Sequence, residues 1–175
     1  HKPNWEIIGK ENIKSNGCTI ATSNHQSFAD IFLLQDITNM KMPMLKFFMK
    51  YVLIYVPIIG LSWWALDMPF LKRYTKKQLE KNPKLVGKDV KEMKRALKHY
   101  SLYPVTVFSF AEGTRFTIKK HRNQNSPFDN LLKPKEGGLA TALSLVNKID
   151  SLIDFTIKFD SQKRSFWDYL CGRMN

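Results

Sequence analysis

Two short motifs carry residue types that can do chemistry. The first contains a histidine, His25, followed five positions later by an aspartate, Asp30, and it lies between two apolar runs. A carboxylate at this spacing can accept a hydrogen bond from one imidazole nitrogen, which fixes the tautomer and leaves the other nitrogen free to take a proton. Most pairs at this spacing are accidental. The pair therefore predicts a catalytic base only if a second motif supplies a substrate for it.

The second motif, Glu112-Gly113-Thr114-Arg115, directly follows a β-branched and aromatic run. The planar guanidinium of arginine suits phosphate oxygens, and glycine lets the backbone approach a ligand closely. The glutamate either holds the arginine in place or binds a substrate hydroxyl. For this motif alone, an ordinary turn with a surface salt bridge stays an alternative.

Strand-like and helix-like segments alternate along the chain, which predicts an α/β domain. Strands are predicted at residues 5–8, 18–23, 105–110 and 152–159, and helices at 28–39, 88–100 and 139–146. Ligands of α/β sheets sit beyond the carboxyl ends of the strands. Both motifs follow strands, so we expect them to face one crevice.

Residues 51–66 carry no charge. A membrane-spanning helix needs about 20 apolar residues, and this run is shorter and is broken by Pro57 and Gly60. Two buried core helices joined by a turn are the favoured interpretation. The alternative is an interfacial element, with Lys46, Lys50 and the adjacent tryptophan pair near headgroup level.

The chain has 175 residues, of which 43% are hydrophobic, and a formal net charge of +13. This predicts a single domain over residues 1–175 and an anionic partner. Basic residues outnumber acidic ones eleven to three in residues 72–98, most of which we interpret as a solvated helix face. Two distant cysteines predict no disulfide framework, and the histidines show no metal-ligand spacing, which argues against a metal hydrolase.

The motifs together resemble the lysophospholipid acyltransferase superfamily, which includes the glycerol-3-phosphate and 1-acylglycerol-3-phosphate acyltransferases. The matching segments, in chain order, are Asn24-His25-x4-Asp30, Phe70-Leu71-Lys72-Arg73, Phe110-Ala111-Glu112-Gly113-Thr114-Arg115 and Lys133-Pro134-Lys135. The run at residues 64–74, with 87–90 after it, looks closest to a bacterial inner-membrane branch of that family.

The resemblance implies a single acyltransferase domain with a central mixed sheet flanked by helices. It implies that His25 is the general base and that Asp30 orients and polarises it. The acceptor hydroxyl would then attack an acyl thioester directly, with no acyl-enzyme. The family also carries an N-terminal hydrophobic membrane segment, which we expect to be missing from this chain, as in a fragment.

The resemblance also implies substrate-binding roles for Lys72, Arg73, Glu112, Gly113, Thr114, Arg115 and Pro134. The two arginines would bind the substrate phosphate, while the glutamate and glycine would shape the same site. The role of the proline is less defined. The sequence does not distinguish which residue closes the inner end, or floor, of an apolar acyl-chain site; the candidates are Phe28, Phe32, Ile58 and Trp63.

The expected reaction moves an acyl group from acyl-CoA or acyl carrier protein to a lysophospholipid, with 1-acylglycerol-3-phosphate giving phosphatidic acid as the leading case. We expect no cofactor, no metal and no nucleic acid, and action at the cytoplasmic side of the inner membrane. The alternative function is a non-catalytic module that binds anionic lipid or nucleic acid through residues 72–98.

Overall fold

Six parallel strands in two sheets form the framework of the protein. The computed structural model describes residues 6–13, 16–72, 74, 76–100, 103–146, 148–160 and 165–173. The strands are β1 (Thr19–Ser23), β2 (Leu45–Phe47), β3 (Met49–Lys50), β4 (Phe70–Leu71), β5 (Thr106–Phe110) and β6 (Ser151–Phe155). The main sheet has the order β2-β5-β1-β6, and β3 pairs with β4 in a second, two-stranded sheet.

Helices lie on both faces of the main sheet, and the described residues contain seven α-helices in all. They are α1 (Asp30–Thr38), α2 (Ile59–Ala65), α3 (Lys76–Lys81), α4 (Lys88–Tyr100), α5 (Ile118–Gln124), α6 (Glu136–Leu145) and α7 (Phe166–Leu170), with 3-10 helices at Lys10–Asn12, Tyr51–Tyr55 and Pro83–Leu85. Successive side chains of a strand point to opposite faces. Ala21 of β1 accordingly packs in the cluster that contains Leu34 of α1, whereas Ile20 packs with Leu97 of α4 and Ala142 of α6.

The α/β class and the helix-flanked sheet are confirmed. All strand pairs in the described residues are parallel, so the expected mixed sheet is wrong in that respect. The connections explain the difference, because a parallel pair needs a long crossover, and helices occupy the segments between the strands of the main sheet.

Most predicted elements agree with the structure to within a few residues, with two exceptions. Residues 6–8 form no strand but lead into the first 3-10 helix, and residues 1–5 lie outside the described ranges. The last predicted strand ends early, at Phe155. Ile157 and Phe159 leave the sheet and pack into the core, which explains the long apolar pattern.

Residues 51–66 form two short helices, as predicted, but these helices are not fully buried. They cross closely at Gly60, where a Cβ atom would lie 2.2 Å from the carbonyl oxygen of Ile54. Leu53, Ile59 and Trp63 rest on the core, whereas most other large side chains of the segment are exposed. No helix within the described ranges is long and apolar enough to cross a bilayer.

The basic run from residue 72 to 98 is mostly helical. Met93 and Leu97 bury one side of α4 against the sheet, while Lys94 and Lys98 are exposed on the same helix. This arrangement agrees with the interpretation of most of the run as a solvated helix face.

Candidate active site

His25 and Asp30 form a hydrogen-bonded dyad just beyond the carboxyl end of β1. The imidazole Nδ1 lies 2.9 Å from the carboxylate Oδ2 of Asp30, which is the first residue of α1 and is completely buried. The same oxygen accepts the backbone N–H groups of Gln26, at 2.7 Å, and Ser27, at 2.9 Å. With Nδ1–H donating to the carboxylate, Nε2 is the nitrogen left to accept a proton.

The aromatic ring of Phe110 stacks on the imidazole of His25 and restricts its orientation. The two ring centroids are 3.8 Å apart and the planes are 11° from parallel. Phe110 is the last residue of β5 and lies opposite Ser23 of β1 in the parallel register, so the chain two residues beyond Ser23 comes over its side chain. Sequence reasoning gave Phe110 no role; its position at the end of the strand before Glu112 was the available signal.

The side chain of Glu112 links its own turn after β5 to the chain at His25 and at Leu132. Its Oε1 accepts the backbone N–H of His25 at 2.9 Å, and its Oε2 accepts the backbone N–H of Leu132 at 2.9 Å. The residue is only 2% exposed. The structure thus assigns it a positional role that neither sequence alternative, an arginine partner or a ligand for a substrate hydroxyl, had suggested.

Gly113, Thr114 and Arg115 lie on the wall of the same cleft as His25, in agreement with the expected shared crevice. Gly113 has a φ of 64°, and a Cβ atom there would approach Lys135 Cδ to 3.0 Å, so this turn requires glycine. The backbone N–H of Phe116 donates to the carbonyl of His25 at 2.7 Å. The loop of residues 112–116, which carries Arg115, therefore lies directly against His25.

Lys120, on α5, holds the same loop through two hydrogen bonds. Its ammonium donates to Thr114 Oγ1 at 2.8 Å and to the carbonyl of Arg115 at 2.9 Å. Both contacts limit the freedom of the backbone that carries the arginine. Sequence reasoning missed this lysine, because it lies in a polar stretch, residues 119–126, with no apolar periodicity to indicate a helix.

The remaining predicted site residues border the cleft or lie outside the described ranges. Arg73 is outside them, although its neighbours Leu71 and Tyr74 line the cleft. Lys72 is exposed, with its Nζ 4.5 Å from the centre of the Tyr51 ring. A cation over an aromatic face is an attractive arrangement.

Pro134 lies between two anchored residues. Leu132 donates its backbone N–H to Glu112, and Lys135 donates its own to the carbonyl of Ala111 at 2.8 Å. The fixed φ of proline stiffens the segment between these two points. The Lys133-Pro134-Lys135 segment therefore supports the turn after β5, through the hydrogen bond to Ala111.

The cleft has a volume of about 840 Å³ and is lined by both cationic and apolar side chains. Its cations are Lys50, Arg115, Lys120 and Lys135, and no carboxylate is among its described lining residues. Its apolar lining includes Phe28, Ile31, Phe47, Met49, Leu53, Met93 and Phe108. Of the four candidates for the floor, Phe28 lines the cleft, Phe32 stacks on Tyr169, Trp63 is buried, and Ile58 is exposed on the surface.

A second polar cluster fixes the turn before β4. Lys46, expected near headgroup level in the interfacial interpretation, is instead buried and donates to the carbonyl of Leu66 at 2.6 Å. Burial lowers the pKa of Lys46. Tyr103 donates to Asp67 Oδ2 at 3.1 Å. Burial, with that hydrogen bond and the carboxylate charge, raises the pKa of Tyr103 to about 12.

Metal ligation has no support in the described part of the chain, where no group of three or more histidine, cysteine or acidic side chains could hold an ion. His99 lies 3.5 Å from Asp67, and His121 contacts the carbonyl of Phe128 at 2.6 Å. These two histidines therefore serve local contacts away from the dyad.

Fold and site together define an α/β protein in which a His–Asp dyad lies at a cleft lined by cationic and apolar side chains. The chain belongs to the Acyltransferase family, whose model matches residues 4–157. It is 34% identical over 125 residues to human 1-acyl-sn-glycerol-3-phosphate acyltransferase delta, and this alignment covers 65% of this chain and 30% of the relative. It is 30% identical over 167 residues to 1-acyl-sn-glycerol-3-phosphate acyltransferase 3 of Arabidopsis thaliana, covering 87% and 39% of the two chains.

The chain thus spans about a third of the length of the curated relatives it matches. No solved structure matches it closely enough to add to this comparison. The superfamily predicted from the motifs is confirmed, and the narrower relation to a bacterial inner-membrane branch stays a prediction.

Proposed function

We propose that the protein transfers a fatty acyl group from an acyl thioester to the free hydroxyl of a lysophospholipid, with 1-acylglycerol-3-phosphate as the acceptor and phosphatidic acid as the product. One observation carries this proposal. The imidazole of His25, with Nδ1 hydrogen-bonded to Asp30, lines a cleft whose lining contains both cations and many apolar side chains.

The dyad suits proton removal from an alcohol. As the acceptor hydroxyl attacks, its proton passes to Nε2 of His25, and the imidazolium that forms is paired with Asp30. That carboxylate is completely buried, and its other oxygen, Oδ1, has no hydrogen-bond partner among the described residues. A buried carboxylate without a cation is costly, so positive charge on the imidazole is stabilised as the transition state is approached.

The cations of the cleft suit a phosphate on the acceptor. Arg115 lies in the loop 112–116, which contacts the backbone N–H of His25 through Glu112 and its backbone carbonyl through Phe116. A phosphate bound there would hold the adjacent glycerol hydroxyl near the base. The names of the relatives, which are 1-acyl-sn-glycerol-3-phosphate acyltransferases, support a phosphorylated acceptor of this kind.

The apolar lining of the cleft suits fatty acyl chains. Phe28, Phe47 and Phe108 belong to this lining, and burial of each chain methylene contributes about 0.8 kcal/mol. In the reaction a C–O ester bond forms and the C–S bond of the thioester breaks. The leaving thiolate takes the proton held by His25, which returns the base to its starting state.

Direct transfer without an acyl-enzyme fits the surroundings of the Ser27 hydroxyl, which lies between His25 and Asp30 in the sequence. Ser27 is buried, and its Oγ accepts the backbone N–H of Ala29 at 3.2 Å. This is the contact of a residue that begins a helix rather than of a nucleophile. We propose no cofactor and no metal for the step.

The experiment is an assay of the purified chain with acyl-CoA and 1-acylglycerol-3-phosphate, following phosphatidic acid. The same assay with acyl carrier protein as donor, and with the acceptor lacking phosphate, defines both substrates. We expect turnover that falls strongly without the phosphate. A chain that binds anionic vesicles or nucleic acid but forms no ester with either donor would favour the alternative, a non-catalytic binding module.

A further inference from the structure

The outer side of the two short helices between β3 and β4 is apolar and exposed. Of the 18 large apolar side chains that are exposed in the described residues, six lie in this short stretch. They are Val52, Tyr55, Ile58, Leu61, Trp64 and Leu66, which we call the apolar face. The same helices rest on the core through Leu53, Ile59 and Trp63, so the apolar face is what they present to the surroundings.

The turn between these helices places an apolar side chain, that of Ile58, at an exposed position with a strained backbone, which contact with water does not explain. Ile58 is 81% exposed and has a φ of 63°. A β-branched residue is strained in that region, where glycine is the ordinary choice. The protein thus keeps both backbone strain and an exposed apolar side chain at one position. An apolar environment around Ile58 would account for the side chain.

Most of the charge next to the apolar face is positive. No charged residue occurs between Lys50 and Leu66, Lys50 precedes the face and Lys72 follows it, on a chain with net charge +13. The carboxylate of Asp67, which directly follows Leu66, accepts a hydrogen bond from Tyr103 at 3.1 Å and lies 3.5 Å from His99. Lys72 lies over the ring of Tyr51, which is half-buried at the start of the first helix. Apolar and aromatic side chains bordered by lysines match the headgroup region of an anionic bilayer.

The apolar face is also continuous with the cleft. Lys50 and Leu53 line the cleft that contains His25, and Val52 and Tyr55 belong to the same 3-10 helix as Leu53. A bilayer seated on this face would bring lipid to the side of the cleft formed by that helix.

We propose that the apolar face inserts into the headgroup region of an anionic bilayer and admits the lysophospholipid acceptor to the cleft from there. The second half of this statement rests on the proposed function, whereas the membrane contact does not. The positive border favours an anionic lipid surface over a second copy of this chain, whose own apolar face would carry the same charges.

Flotation with vesicles of phosphatidylcholine and phosphatidylglycerol tests the contact. We expect the chain to float with them more strongly than with phosphatidylcholine alone. Leu61→Ser/Trp64→Ser, which alters two exposed side chains outside the cleft, should weaken vesicle affinity by roughly tenfold or more, because two large apolar groups no longer enter the lipid. Val86→Ser, at a residue 67% exposed outside the apolar face, is the matched control and should float like the wild type.

A second variant separates membrane contact from folding. Ile58→Gly relieves the strain at positive φ, so its melting temperature should rise, while its vesicle affinity should fall. A purely structural role would not produce these opposite changes. Wild-type flotation by both Ile58→Gly and the double variant would overturn the proposal. So would a dimer in lipid-free solution that the double variant dissociates.

An activity assay keeps the two proposals distinct. With a short-chain acceptor dispersed as monomers, the double variant should turn over like the wild type, and it should be slower only on acceptor presented in vesicles. Equal loss on both forms would overturn the membrane role. If neither protein forms product, the proposed function fails, while the flotation result still decides the membrane contact.

Discussion

Glu112 holds His25 by its backbone, through a hydrogen bond of 2.9 Å between residues 87 positions apart. Its second oxygen holds Leu132 at the same distance. One buried carboxylate thereby joins the chain after β1, the turn after β5 and the segment before α6. The position of His25 therefore depends on a residue that is itself almost inaccessible to solvent.

Glu112→Gln tests this connection. The amide keeps one oxygen, but its NH2 group must face a backbone N–H, so either His25 or Leu132 loses its acceptor. We expect a loss of about 1–3 kcal/mol in the free energy of unfolding, measured with urea, and a lower kcat measured well below the melting temperature. Glu136→Gln, at an exposed glutamate, serves as the control. Unchanged stability and kcat would contradict the positional role.

Phe110→Leu tests the support of the imidazole plane. The ring contact at 3.8 Å would be lost while most of the apolar volume stays. Aromatic pairs contribute about 0.5–1.5 kcal/mol beyond their buried area, so kcat should fall by up to about tenfold while the KM for the acceptor changes little. The control is Phe128→Leu, at an exposed phenylalanine. A raised KM with unchanged kcat would show that the ring contacts substrate instead.

Arg115→Ala tests which half of the substrate meets the cations. Loss of the guanidinium should raise the KM for 1-acylglycerol-3-phosphate, since charge-assisted hydrogen bonds are among the strong ones. It should leave the reaction with an acceptor that lacks the phosphate unchanged. Arg122→Ala, at an exposed arginine on α5, should behave like the wild type. If Arg115→Ala impairs only the acyl thioester, the two halves of the site are reversed.

The alkaline limit of stability tests the cluster before β4. The pKa of Tyr103 is raised to about 12 by burial and by its hydrogen bond to Asp67, whereas a phenol in the unfolded chain ionises near about pH 10. The unfolded state therefore loses this proton first as the pH rises. The stabilising contribution is full below about pH 10 and is lost as the pH approaches 12.

Tyr103→Phe cannot ionise, so its free energy of unfolding should decline less steeply than that of the wild type across this pH range. Burial also raises the pKa of Tyr100, which stays in both proteins and keeps part of the decline. Urea unfolding at a series of pH values gives the two slopes. Below about pH 10 the two curves should run parallel, and equal slopes above it would contradict the assignment.

The arrangement of the candidate site was predictable because its parts are local. His25, Asp30 and the Glu112–Arg115 motif each follow a strong strand pattern. β1 and β5 then pair in parallel, so that Ser23 lies opposite Phe110. Neighbouring carboxyl ends of parallel strands meet at one edge of the sheet. Two local motifs were thus enough to predict one shared cleft.

The rest of the site depends on contacts that a local pattern does not carry. β2, β3 and β4 are two or three residues long, too short for a periodic signal, yet Phe47 and Met49 line the cleft. Lys46 is charged, but a carbonyl 20 residues later lets it be buried. The exposure of the apolar face depends on where the two short helices rest, which the uncharged sequence alone does not indicate.

The central claim, that His25 is the base in acyl transfer, is tested most directly by the turnover of His25→Ala with acyl-CoA and 1-acylglycerol-3-phosphate. General-base catalysis contributes about 10²–10⁴-fold, so we predict a loss of that size in kcat, with a melting temperature close to that of the wild type. His99→Ala, at an exposed histidine on α4, should keep wild-type turnover. Undiminished turnover by His25→Ala would contradict the mechanism.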